Sequence, residues 1–215
     1  MSIVFASCLA GLVCSIASAQ GANTNDTRLL TQPAISDKNI AFIYAGSLWV
    51  ADLDGKNVRR LTSDEGAESS PAFSPDGSLI AFSARYDGNI DVYVVPTAGG
   101  VPTRLTWHPS ADIVQGFTTD GSAVLFTSRR AAFSNRYAQL YTVPVKGGLE
   151  EQLPIPNASE ATYSPDGSHI AYNPLFPAFY TWKHYRGGTN SVIWLFNNAD
   201  HSIEKIPQPE GHCND

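Results

Sequence analysis

The chain has 215 residues, 43% of them hydrophobic and 16% charged, where soluble globular domains average about 25% charged. That composition excludes a disordered polyelectrolyte. With 14 Lys and Arg against 20 Asp and Glu, the net charge of -6 is opposite in sign to the basic footprint of DNA- and RNA-binding proteins, so nucleic acid is not an expected partner.

Residues 2–19 carry no charged side chain, run apolar from Ile3 to Ile16 and close on Ala17-Ser18-Ala19, a small-x-small cleavage pattern. The reading is a secretory signal peptide over residues 1–19, with the mature chain, 20–215, exported to the periplasm. The apolar run is shorter than the about 20 residues of a bilayer span, so no stable membrane span is expected once the leader is removed. Cleavage before Gln20 takes Cys8 and Cys14 with the leader and leaves Cys213 alone. One thiol cannot staple its own chain, so the core must come from packing.

From residue 30 onward the chain repeats itself. The first unit reads Pro33-Ala34-Ile35-Ser36-Asp37, Ile40-Ala41-Phe42, Leu48-Trp49, a turn at Asp54-Gly55 and a close at Leu61-Thr62. The second reads Pro71-Ala72-Phe73-Ser74-Pro75-Asp76-Gly77, Ile80-Ala81-Phe82, Val92-Tyr93, Gly99-Gly100 and Leu105-Thr106. In the third come Gly116-Phe117-Thr118-Thr119-Asp120-Gly121, Val124-Leu125-Phe126, Leu140-Tyr141, Gly147-Gly148 and Leu153-Pro154. The fourth has Ala161-Thr162-Tyr163-Ser164-Pro165-Asp166-Gly167, Ile170-Ala171-Tyr172, Ile193-Trp194, Ala199-Asp200 and Ile206-Pro207.

Each unit reads as four short strands. In Ser-Pro-Asp-Gly the proline presets φ at the first central position, aspartate suits the second and glycine accepts the positive φ that follows, which makes a hairpin of strands one and two. The Gly-bearing second turn joins strands three and four. Between turns the residues are nearly continuously apolar or small, as in sheets covered on both faces. Leu48, Val92, Leu140 and Ile193 are 44, 48 and 53 residues apart, which matches the about 40 to 50 residues of a propeller blade. The expected fold is an all-β β-propeller of four-stranded antiparallel blades, at about 30–62, 70–106, 115–154 and 160–207. The lengthening spacing comes from insertions between strands two and three, Arg129 to Ala138 and Asn173 to Asn190, and lengthened loops are where function gathers.

Catalytic chemistry is harder to find. No Gly-x-Ser-x-Gly elbow occurs, and the serines before Pro75 and Pro165 belong to turns. The histidines at 108, 169, 184, 201 and 212 have no metal-ligand spacing, so neither metal nor cofactor is expected. Asp76, Asp120 and Asp166 recur at the same turn and read as turn acceptors.

The repeat, Leu-Thr, Pro-x-Phe-Ser-Pro-Asp-Gly, Ile-Ala-Phe, then Tyr and Gly-Gly, resembles that shared by TolB and the amino-terminal part of tricorn-type peptidases. Thr181-Trp182-Lys183-His184-Tyr185-Arg186-Gly187-Gly188 in the fourth unit is similar to the Trp-Lys-x-Tyr-Arg-Gly-Gly insertion of tricorn-like peptidases. That resemblance implies the amino-terminal propeller segment of an exported serine peptidase, channelling or positioning oligopeptides for a further propeller and peptidase domains not present here. It also implies about six blades, so four read as a fragment. Two contacts are implied: the adjacent Arg129 and Arg130 holding a peptide carboxylate, where a guanidinium fork suits the geometry, and Trp182, Lys183, Tyr185 and Arg186 meeting a peptide or a neighbouring domain. A TolB-like periplasmic protein-binding scaffold and the propeller of a prolyl-oligopeptidase-like hydrolase are the alternatives.

Overall fold

The computed structural model describes residues 29–132, 137–175 and 192–207, and among them the chain forms strands and turns and no helix. The leader, residues 1–19, the insertion carrying Trp182, Lys183, Tyr185 and Arg186, and Cys213 lie outside the described residues. The first blade contains β1 (Leu30–Ile35), β2 (Asn39–Tyr44), β3 (Ser47–Asp52) and β4 (Arg59–Arg60). The second contains β5 (Glu68–Phe73), β6 (Leu79–Ala84), β7 (Asp91–Pro96) and β8 (Thr103–Arg104). In the third are β9 (Asp112–Phe117), β10 (Ala123–Ser128), β11 (Gln139–Pro144) and β12 (Glu151–Gln152). The fourth has β13 (Glu160–Tyr163), β14 (His169–Asn173), β15 (Trp194–Asn197) and β16 (Ile203–Lys205). Every blade is an antiparallel meander in chain order, the architecture that the repeat predicts.

Local chemistry sets the hairpins. The Ser74 carbonyl accepts the Gly77 N–H at 2.8 Å, and Gly77 sits at φ 70°, a left-handed conformation that costs glycine least. The Ser74 hydroxyl donates to the Asp76 carboxylate at 2.6 Å, and Asp76 also accepts the Ser78 N–H at 3.0 Å. Thr118, Asp120 and Ser122 repeat this arrangement, as do Ser164, Asp166 and Ser168. These bonds, from Ser74, Thr118 and Ser164 first, hold each of the three aspartates at a pKa of about 2. Successive turns also nest: a Cβ on Gly167 would lie 2.7 Å from the Thr119 hydroxyl of the blade before.

Three apolar cores lie between blades. Ala41, Ile43 and Val50 of the first blade meet Ile80, Phe82 and Val95 of the second. The second blade's other face, Ala81, Val92 and Val94, meets Val124, Phe126 and Val143. Leu125 and Leu140 then meet Ile170, Tyr172 and Phe196. Because a sheet alternates its side chains, each middle blade is apolar on both sides, and that explains the unbroken apolar runs of the sequence. Phe82 stacks on Tyr93 at 5.8 Å and Phe126 on Tyr141 at 5.6 Å, the same pair one blade apart.

The first strands of successive blades touch one another, which puts β1, β5, β9 and β13 on the inside. An inner strand has one edge without a strand partner, a template for unwanted pairing. Two devices guard it. Register shifts mark a bulge in β1, β5 and β9, with Gln32 and Ser70 at φ 51° and 53° in the first two; bulges twist an edge out of register. In addition, a side chain of the preceding blade accepts an inner-edge N–H at every seam: Gln32 takes that of Ser70, Ser83 that of Val114 at 2.8 Å, and Gln115 that of Ala161 at 3.1 Å.

Candidate functional site

The chemically richest part of the described chain is the blade end where second strands hand over to third strands. Arg129 and Arg130 follow β10 immediately and point to different fates. The Arg129 side chain is exposed, and among the described residues no hydrogen bond or ion pair holds it. Arg130 is drawn back over its own blade, its side chain 12% exposed, with Nη2 2.6 Å from Asp112 and Nη1 3.2 Å from Glu150. Its Nε donates to the Ser128 hydroxyl at 3.1 Å, and the guanidinium carbon lies 5.3 Å from the Phe126 ring centre and 5.0 Å from that of Tyr141. Burial alone pulls the Arg130 pKa down, but Asp112 and Glu150 outweigh it and hold the group above its ordinary value. A peptide carboxylate reaching Arg130 would compete with two carboxylates already in place.

The preceding blade explains why Arg130 sits there. Two residues past the end of β6, Tyr86 occupies the place that Arg130 occupies past β10. The Tyr86 hydroxyl donates to Glu68 at 2.5 Å and its ring meets Tyr93 edge-on at 4.8 Å. Glu68 and Asp112 are both the first residue of their inner strand. One constellation is therefore built twice, once as Glu68, Tyr86 and Tyr93 and once as Asp112, Arg130 and Tyr141. The remaining Glu68 oxygen reaches into the first blade, accepting the Leu48 N–H at 2.5 Å and the Thr62 hydroxyl at 2.6 Å. Asp112 is one methylene shorter, and its Oδ1 has no hydrogen-bond partner among the described residues although the residue is fully buried. Burial of the phenol, then Glu68, pushes the Tyr86 pKa well above the tyrosine range.

A second ion pair stands beside the first. Arg104 binds the fully buried Asp91 at 2.6 Å and the exposed Asp87 at 2.9 Å, and lies 5.7 Å from the ring centre of the exposed Trp107. Burial pushes the Asp91 pKa up; Arg104 opposes that and Asp112 adds to it. Both ion pairs stay within their own blades, Arg104 with Asp91 and Asp87 in the second and Arg130 with Asp112 and Glu150 in the third, whereas Glu68 of the second blade bonds across to Leu48 and Thr62 of the first.

One arrangement imitates a catalytic triad. Ser168 Oγ lies 2.7 Å from His169 Nδ1 and 2.8 Å from Asp166. The same serine–aspartate contact recurs as Ser78 with Asp76 and Ser122 with Asp120, where Leu79 and Ala123 replace the histidine. Ser168 is the turn of the repeat, its proton given to Asp166, and not a nucleophile activated by a base. Among the described residues no group of three or more His, Cys, Asp or Glu side chains could hold a metal ion, and no helix is long and apolar enough to cross a membrane.

The Glu68 and Asp112 anchors were not picked out from sequence. The signal was present: each acid stands five residues before the aromatic of its Phe-Ser-Pro-Asp or Phe-Thr-Thr-Asp turn.

A family model described as the tricorn protease N-terminal beta propeller domain matches residues 27–215. Tricorn protease homolog 1 of Streptomyces coelicolor is 32% identical over 168 residues, which is 78% of this chain and 16% of that protein. Among solved structures, the tricorn protease superposes with a TM-score of 0.72 at 26% identity, over 86% of this chain and 19% of that one. TolB from Acinetobacter baumannii gives a TM-score of 0.64 at 24% identity, over 82% of this chain and 43% of that one, a likeness of fold.

Proposed function

Because the chain belongs to the tricorn protease N-terminal β-propeller family, we propose that it is the non-catalytic propeller segment of an exported tricorn-like serine peptidase, positioning oligopeptides for catalytic domains that lie elsewhere in the parent protein. The observation that carries this reading is the family match from residue 27 to residue 215, across all four blades. It is supported by the small share of the relative that the chain spans, 16%, which leaves room for domains with the chemistry that the described residues lack. Export rests on the uncharged apolar leader ending in Ala17-Ser18-Ala19.

Within this reading Arg129 is the peptide contact of the arginine pair. Its side chain is exposed and is held by no hydrogen bond or ion pair among the described residues, so it can offer two parallel hydrogen bonds to a carboxylate. Arg130 fixes the backbone from which Arg129 projects, through Asp112 and Glu150. Trp182, Lys183, Tyr185 and Arg186 are proposed to meet the peptide or an adjoining domain.

The test uses the parent protein. Arg129→Ala should weaken turnover of peptides with a free carboxyl end more than of their amidated counterparts, whereas Arg130→Ala should lower stability and turnover of both. Equal effects of Arg129→Ala on the two peptide classes would remove the contact.

A further inference from the structure

The four inner strands are not guarded alike. β1, β5 and β9 each carry a bulge, and two of them place a proline there, Pro33 and Pro71, which has no N–H to offer a passing strand. β13 pairs with β14 in unbroken register from Glu160 to Tyr163, and at the place of Pro33 and Pro71 it has Ala161. The Ala161 N–H faces away from β14, and what meets it is not backbone but the Gln115 side-chain oxygen at 3.1 Å. That oxygen stands where the carbonyl of an added strand would stand. Gln115 is loosely held otherwise: its Nε2 reaches Ile113 O and Thr127 Oγ1 at 3.4 Å each.

Space lies on both sides of this bond. A cavity of about 260 Å³ is lined by Gln115, Glu160, Ala161 and Asn173, and one of about 350 Å³ by Gln115, Phe117, Tyr163 and Pro165; Thr162 borders both. The first also reaches Ala171 and Tyr172 of β14 and the second reaches Phe73 and Pro75 of the second blade, so the two flank β13 at its opposite ends.

We propose that the inner edge of β13 is a peptide-binding site, at which an extended peptide displaces the Gln115 side chain and adds to the fourth blade as an antiparallel or parallel strand. The inference rests on the peptide-handling reading above and names where the peptide is held. In the adduct the peptide carbonyl accepts the Ala161 N–H, and by strand alternation the Tyr163 N–H and C=O face the same way. Main-chain bonds carry the affinity and the two cavities receive alternate side chains, so the site accepts extended oligopeptides of varied sequence. The guarded blades cannot do this: a bulge breaks their register, and Pro33 and Pro71 remove the donor.

The probe is a fluorescent capped peptide, acetyl-Lys-Val-Thr-Val-Thr-Lys-amide, titrated into the full chain and followed by anisotropy, beside the same peptide N-methylated at alternate residues. Gln115→Ala removes the competing cap and should tighten binding about five-fold, the worth of one hydrogen bond. Ala161→Pro copies the residue that blades one and two already use, and should abolish binding while the circular dichroism spectrum stays that of the parent. The N-methylated peptide should not bind, a result that holds whatever Ala161→Pro does to folding. Undiminished binding by folded Ala161→Pro, or equal binding of the N-methylated peptide, would overturn the site at β13 and leave the peptide reading standing. No binding of the unmodified peptide to the parent chain or to Gln115→Ala would overturn both.

Discussion

Blades two and three solve one problem with different chemistry. Each must pin the loop leaving its second strand to the start of its own inner strand, next to apolar faces buried between blades. The second blade uses a phenol, Tyr86, donating to Glu68. The third uses a guanidinium, Arg130, donating to Asp112 and stacked on Phe126 and Tyr141. The lengths compensate, since the long glutamate meets the shorter reach of tyrosine and the short aspartate meets arginine. What differs is the consequence of failure. A buried neutral donor can be lost for the value of a hydrogen bond, while a buried cation left without its anion carries a full desolvation penalty. The adjacent arginines also differ, because Arg130 is engaged by Asp112 and Glu150 while Arg129 is exposed.

The largest effect should come from breaking the ionic version. Asp112→Ala leaves Arg130 buried with only Glu150, and should lower unfolding free energy in urea by about 3 to 5 kcal/mol; a loss under about 1 kcal/mol would mean that Asp112 is not the anchor. Tyr86→Phe, the neutral break, should cost about 1 to 2 kcal/mol by the same measurement, because Glu68 keeps the Leu48 N–H and the Thr62 hydroxyl. The comparison is sharpest when one blade is given the other's chemistry: Asp112→Glu with Arg130→Tyr should recover stability to within about 1 kcal/mol of the parent, although Asp112→Glu alone overcrowds the seam. If the double variant is no better than the worse single one, the two constellations are not equivalent.

The smallest effect separates turns from seams by pH. Asp76, Asp120 and Asp166 have folded pKa values of about 2, below the ordinary 3.8. Their contribution is therefore complete above about pH 4 and is lost as pH falls toward 2. Asp91 has the opposite sign: its pKa is raised, so its ionisation in the folded protein opposes stability and protonation relieves it. Replacing Ser74, Thr118 and Ser164 with alanine should flatten the acid limb of the stability curve by lowering its neutral plateau toward the acid end. An unchanged acid limb would show that the turn hydroxyls do not set these values.

What could be read from the sequence follows from distance along the chain. Turns such as Ser74 to Ser78 close within a few residues, and strand pairs within a hairpin, so both leave local signatures that repeat. The apolar faces repeat as well, because every blade meets a blade. The spacing of Glu68 and Asp112 from their turn aromatics repeats, but their partners do not follow from it, because Glu68 and Tyr86, like Asp112 and Arg130, are 18 residues apart and chemically unlike between blades. Arg130 therefore reads from sequence only as half of an arginine pair suited to a carboxylate, and the packing of Tyr86 in the neighbouring blade reveals that it also belongs to the repeat. The thinner guard on β13, a side-chain cap with neither bulge nor proline, is equally hard to read, because a residue that is missing leaves no motif.

The proposed function has this chain hold peptides and leave their cleavage to other domains. It is tested most directly by incubating the purified chain with fluorescent oligopeptides and reading anisotropy and mass spectra on the same samples. The account predicts a saturable rise in anisotropy with every peptide recovered at its original mass. Cleavage that co-purifies with the chain through successive columns, or no change in anisotropy at millimolar protein, would contradict it.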